Sequence, residues 1–282
     1  MTGTYLEAPN KRVSAANGID YAYRELGDGP VPLVLFQHFR GNLDYWDPAL
    51  IDALASTRRV VTFDNAGVGG STGTTPSTAE EMAHDAIAFL AAMEFNVVDV
   101  LGFSIGSFVA QEIALIRPGL VRNLVLASSA PKGAAGMHGW SREVIEAVGE
   151  PEPNPDGYLA VFFTDSASSR RAGQEVFERL LSRTSDPDEQ TTWQTRQAQY
   201  EAVCAWGLPN HALLQRLSAV EQPVFVANGD SDPMILPHYS HLLAGLIPQA
   251  RLKIYPDSAH GFLFQHHTEF ATDVDTFISG PG

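Results

Sequence analysis

The sequence predicts an α/β fold: a mostly parallel central sheet with an N-terminal antiparallel hairpin and an inserted helical cap. Two observations carry that expectation. Apolar runs at 32–37 (PLVLFQ), 59–63 (RVVTF), 97–101 (VVDVL), 121–128 (VRNLVLAS), 223–229 (PVFVANG) and 251–255 (RLKIY) punctuate the chain, most of them separated by segments of helical length. Such runs suit strands covered on both faces, and the helical spacers imply parallel pairing through right-handed crossovers. The pattern then stops across 131–215, where prolines, charges and scattered aromatics replace the β-branched runs. We therefore expect a core in two parts, 1–130 and 216–282, interrupted by a helical cap at 131–215.

Each element has a local reason. Asn17-Gly18 is a strong two-residue hairpin signal, so 11–15 and 20–25 should pair antiparallel. Either Asp44 or Asp47 caps a short helix through Ala55. Thr78 opens a helix with Glu80 and Glu81 in its first turn, where the helix dipole favours acids. Met82, Ala86, Phe89, Leu90 and Met93 recur at helical spacing and give that helix one apolar face. The last helix is expected over 262–278 as one piece.

Composition narrows the function. A net charge of −15 argues against nucleic acid and anionic membrane surfaces as partners, and does not favour a strongly anionic substrate unless a local basic pocket overrides it. The single cysteine, Cys204, excludes an intramolecular disulfide and reads as a small apolar helix residue. No apolar run reaches signal-peptide or membrane-span length, so a cytoplasmic protein is expected. The oligomeric state is open, and a homo-oligomer is compatible with the sequence. Nine histidines give no metal-ligand spacing: His238 and His241 lie three apart without a third ligand, and His38, His84 and His138 add none. No metal or cofactor is expected.

The chemistry concentrates at 97–119, VVDVLGFSIGSFVAQEIALIRPG. A β-branched run turns through Gly102-Phe103-Ser104-Ile105-Gly106 into an amphipathic helix. A serine in such a strained turn points its hydroxyl outward, and its flanking glycines permit close chain approach. Serine alone is a poor nucleophile and needs a base and an orienter. The loops after the last two strands offer both: Gly229-Asp230-Ser231-Asp232, then Ala259-His260. His266 and His267 fall on the following helix.

With these motifs in place, the chain resembles the α/β-hydrolase superfamily over nearly its whole length. The D-x-x-G-x-G-x-S turn at 64–71 (DNAGVGGS) matches too. The resemblance implies Ser104 as nucleophile, His260 as general base, and Asp232 rather than Asp230 as the triad acid. It also implies an oxyanion hole from the backbone N–H groups of Ile105 and of Phe39, in the loop after 32–37. Relatives often carry His-Gly where this chain has His38-Phe39, but backbone donation does not require glycine. Phe39 with Trp46 resembles the cofactor-free haloperoxidase and perhydrolase-like esterase branch. Serine at the nucleophile position disfavours the dehalogenases and epoxide hydrolases, which use aspartate there. His38 is either support for the site or a plain loop residue. His38, Trp140, Phe163, Trp193, Trp206 and Phe262 are the candidate pocket residues for a small-molecule substrate.

The expected activity is hydrolysis of a small, fairly apolar carboxylic ester or lactone through an acyl-enzyme on Ser104. Perhydrolase or haloperoxidase-type activity, and C–C bond hydrolysis, are alternatives on the same triad. A low-turnover small-molecule receptor is the non-enzymatic alternative.

Overall fold

The computed structural model describes residues 3–137, 139–149 and 154–280. His138, Pro151 and Pro153 lie outside the described residues. The expected hairpin is β1 (Lys11–Ser14) and β2 (Asp20–Leu26), with Val13 opposite Tyr21. β3 (Leu33–Phe36) follows, then a 3-10 turn at Leu43–Tyr45 capped by Asn42, and α1 (Pro48–Ala55). Of the two aspartates considered for that helix, Asp47 is the cap: its carboxylate accepts the Ala49 N–H at 3.1 Å. β4 (Val60–Phe63), α2 (Ala79–Ala92), β5 (Val98–Phe103), α3 (Ile105–Ile116) and β6 (Val121–Ala127) complete the first part. Five helices come next: α4 (Arg142–Val148), α5 (Pro155–Phe162), α6 (Ala167–Leu180), α7 (Trp193–Trp206) and α8 (His211–Leu214). The chain then re-enters the sheet through β7 (Val224–Gly229), α9 (Pro237–Leu246) and β8 (Ala250–Tyr255).

The strand order is β1-β2-β4-β3-β5-β6-β7-β8, with the pairs from β4 to β8 all parallel. Every residue of β3, β4, β5 and β7 is buried, which is why these strands read as predominantly apolar runs. None of the described helices is long and apolar enough to cross a membrane.

The last helix departs from the expectation. It is two pieces, α10 (Phe262–Gln265) and α11 (His267–Ser279), broken at His266 with φ −103° and ψ 32°. Phe262, Leu263 and Phe264 are all buried, so α10 is enclosed on every side. The bend then lets α11 turn Phe270, Val274, Phe277 and Ile278 inward as an ordinary amphipathic helix.

Three polar anchors tie the inserted helices to the core. Asp47, fully buried, takes a bidentate pair of hydrogen bonds from Arg179 of α6 at 2.8 and 2.7 Å. Glu112 on α3 receives Lys132 and Arg216, one from each end of the insertion. Burial pushes its carboxyl up, but those two cations outweigh burial and hold it below the usual range. The third anchor joins two carboxyls. Asp64, after β4, and Asp188, between α6 and α7, both accept the Leu43 N–H (3.0 and 3.1 Å) and the Gly70 N–H (3.1 and 2.9 Å).

Burial, and next the Asp188 carboxylate, hold Asp64 well above the ordinary carboxylate range. A carboxyl whose pKa is raised on folding stabilises the fold at pH below its unfolded value and loses that stabilisation as pH rises through the raised value. Thermal melts from mildly acidic to mildly alkaline buffer should therefore show a falling melting temperature. Asp188→Ala, which removes the facing charge, should flatten that slope. An unchanged slope in the variant would disprove the contribution of the facing Asp188 carboxylate.

Candidate active site

The geometry starts from the turn between β5 and α3. Ser104 has φ 56° and ψ −125°, a conformation few non-glycine residues adopt. A Cβ on Gly102 would lie 2.5 Å from the Gly106 carbonyl oxygen, and one on Gly106 would lie 2.2 Å from the Phe36 carbonyl oxygen. The two glycines are thus required by close packing, within the turn and against the end of β3. The Ser104 N–H donates to Ala127 O at 3.0 Å, and the Ser107 hydroxyl donates to Ser104 O at 2.5 Å. Gln111 and Ser107 meet on the Ser129 hydroxyl at 3.0 and 2.6 Å, which ties the first turns of α3 to the loop after β6. The sequence reading missed this brace.

Sheet register carries the other loops to the same end. Phe36 is level with Gly102, so the loop after β3 lies beside the serine turn. Gly229 is level with Tyr255, so the loops bearing Asp232 and His260 emerge side by side. His260 Nδ1 is 2.8 Å from Asp232 Oδ2. Asp232 Oδ1 accepts the N–H groups of Met234 (2.8 Å) and Ile235 (3.0 Å), which fixes the carboxylate. Asp230 does something else: its carboxylate accepts the Asp257 and Ser258 N–H groups and braces the histidine loop.

His260 reaches the serine turn because Ser128, after the intervening β6, donates to His260 O at 3.3 Å. The imidazole lies 5.1 Å from the ring of Phe103, the residue before Ser104. No hydrogen bond joins His260 to the Ser104 hydroxyl in this structure. Such contacts are commonly long in a free enzyme and tighten when substrate binds. The inserted helices also hold His260. Val161 O accepts the His260 N–H at 3.3 Å, Phe162 O accepts the Gly261 N–H at 2.9 Å, and the Phe162 ring packs edge-on to His260 at 5.2 Å.

The N–H groups of Phe39 and Ile105 have no acceptor among the described residues. Ile105 opens α3, where a free N–H is expected. His38 is buried, and its Nδ1 lies 2.8 Å from Phe39 O. Burial pushes its pKa down to about 3, so the ring is neutral, with the proton on Nδ1 facing that carbonyl. Its ring sits among Tyr45, Phe103, Tyr158, Phe162 and Phe264. His38 is thus part of an aromatic wall beneath the loop after β3.

The family model described as alpha/beta hydrolase fold matches residues 31–267. The chain belongs to the α/β-hydrolase fold family. It is an enzyme of that kind. An α/β-hydrolase fold protein from Chitinophaga pinensis is 36% identical, with a TM-score of 0.93 over 99% of this chain and 100% of that one. A non-heme haloperoxidase of Rhodococcus erythropolis is 25% identical over 94% of this chain and 98% of its own length. A pimeloyl-[acyl-carrier protein] methyl ester esterase of Aliivibrio salmonicida is 27% identical over 87% and 91%.

Several aromatics expected in the pocket of this hydrolase are committed elsewhere. Trp206 stacks on Phe108 of α3 at 4.7 Å and donates its indole N–H to Ala130 O at 2.9 Å, so it pins α7 to the core. Phe163 is buried against Gly173 of α6. Phe262 packs on Tyr255 and Phe270 beneath β8. Trp193 is 41% exposed at the start of α7. In each case helical spacing places an aromatic on a helix without telling which neighbour that face meets. Trp140 is different: its ring meets Phe39 edge-on at 4.9 Å. Among the described residues no set of three His, Cys, Asp or Glu side chains is placed to hold a metal ion.

Proposed function

We propose that this α/β-hydrolase cleaves a small carboxylic ester or lactone through an acyl-enzyme on Ser104. The observation that carries the reading is the Asp232–His260 hydrogen bond of 2.8 Å, held against the residue preceding the strained serine. In this reading Ser104 Oγ attacks the carbonyl carbon while His260 Nε2 takes its proton. The carbonyl oxygen becomes an oxyanion facing the N–H groups of Phe39 and Ile105, each such donor typically contributing about 3–4 kcal/mol to the barrier reduction. Collapse expels the alcohol, which receives the proton from His260. Water, deprotonated by the same imidazole, then releases the acid and restores Ser104. Asp232 holds the imidazole tautomer and stabilises the imidazolium throughout. The insertion at 131–215 acts as the cap that shapes the pocket.

Fluorophosphonate labelling of the folded protein tests the class. Wild type should be labelled and Ser104→Ala should not; equal labelling of both would refute the assignment. The likeness to a haloperoxidase supports a second use of the same acyl-enzyme, perhydrolysis, in which peroxide replaces water as the attacking nucleophile. Acetate, peroxide and bromide with a halogenation reporter would detect it.

A further inference from the structure

Among the described residues, the buried arginines are paired with acids, with one exception. Arg24 meets Asp44 and Arg58 meets Asp275. Arg196 on α7 is only 7% exposed, yet no carboxylate among the described residues reaches it. Among the described residues its guanidinium makes one hydrogen bond, a long 3.4 Å contact from Nη1 to Gln197, and its Nε–H is buried without a partner. The guanidinium lies instead against three rings: Trp193 at 4.7 Å, Tyr200 at 4.9 Å and Phe39 at 5.9 Å. Ring faces favour a cation, but they offer no oxygen acceptor to donors in the guanidinium plane. A buried charge left this way is costly unless something completes its shell.

A second donor in the same cluster is also incomplete. The Trp140 indole N–H is buried with no partner. Its ring contacts Phe39 at 4.9 Å and Tyr200 at 5.4 Å, two of the rings that surround Arg196. The cluster is docked on the loop after β3, because Gln199 of α7 accepts the Arg40 N–H at 2.7 Å. Two unpaired donors, one of them cationic, therefore border Phe39, whose N–H is a proposed oxyanion donor.

We propose that Arg196, assisted by the Trp140 indole N–H, binds a carboxylate carried by the substrate at a distance from the scissile carbonyl. This rests on the Ser104 hydrolase reading and deepens it: the substrate is an anionic half-ester or a carboxylated lactone. It replaces the fairly apolar substrate expected from the sequence, whose net charge of −15 does not favour a strongly anionic one. A planar guanidinium pairs with a carboxylate through parallel hydrogen bonds, which is the geometry an unpartnered Nε–H edge requires.

The test compares p-nitrophenyl hemiglutarate with p-nitrophenyl butyrate, which have similar reach but differ in charge. Wild type should prefer the hemiglutarate. In Arg196→Met the ratio of the two kcat/KM values should fall about a hundredfold, chiefly through the KM for the anion. Arg196→Lys should restore part of it, and Trp140→Phe, which keeps a ring but removes the donor, should show a smaller loss. A fall shared equally by both esters, or an unchanged ratio, would overturn the proposal; circular dichroism and fluorophosphonate labelling of the variant separate this from misfolding. A binding arm isolates the proposal from the chemistry. Calorimetric titration of the Ser104→Ala protein with monomethyl glutarate should show binding that Arg196→Met in the same background removes. Binding of that kind without turnover in wild type would refute the Ser104 reading and leave the carboxylate site standing.

Discussion

Replacing Ser104 with alanine is expected to lower kcat on p-nitrophenyl acetate by about a thousandfold to a millionfold, with a residual rate above water from oxyanion donors and binding alone. The fold should survive the change. The Ser104 hydroxyl makes no hydrogen bond among the described residues, and the turn is held through the Ser104 N–H on Ala127 O and the Ser107 hydroxyl on Ser104 O. Alanine keeps the same unfavourable φ of 56°, so the strain is unchanged. The decisive measurement is a melting temperature near wild type together with the loss of turnover. Wild-type rates in the variant would assign the chemistry to another residue.

Asp232→Asn should cost about ten-thousandfold in kcat with little change in KM. The reason lies in how the two carboxylate oxygens are used. Oδ1 accepts two backbone N–H groups, so the single oxygen of an asparagine must stay there. The amide NH₂ is then forced to face His260 Nδ1, where an acceptor stood at 2.8 Å. His260 must turn Nδ1 into an acceptor and carry its proton on Nε2, the nitrogen required to take the Ser104 proton. The wrong tautomer, with the geometry intact, is thus built into the loop at 232–235. A steady-state comparison at neutral pH checks this; a loss of tenfold or less would exclude Asp232 as the orienter.

The parts of this molecule that the sequence made legible are those whose neighbours are fixed by the chain itself. A strand buried on both faces must be largely apolar, so β3 to β7 were readable. Ser104, Asp232 and His260 each follow such a strand by a few residues, and parallel pairing delivers all three to one end. Residues whose partners come from distant elements were not readable. Phe163, Trp206 and Phe262 were placed in the pocket because an aromatic on a helix does not reveal which face it occupies. The facing carboxyls of Asp64 and Asp188 are 124 positions apart and share no local pattern. Glu112 did leave a trace: a lone acid in the apolar run of α3 must find cations when buried, and it finds Lys132 and Arg216. Arg196 left none, since its distinction is the lack of an acid partner among the described residues.

The carbonyls of Val161 and Phe162 that receive the N–H groups of His260 and Gly261 bear on how such enzymes can be re-engineered. Exchanging the whole insertion for that of a relative would replace the surface against which the base is set, and a chimera lacking acceptors at those two points would inherit a slack histidine along with its new pocket. The interchangeable portion begins after Phe163. From there α6, α7 and α8 can diversify around fixed anchors at Asp47 and Glu112, while His260 keeps its seat.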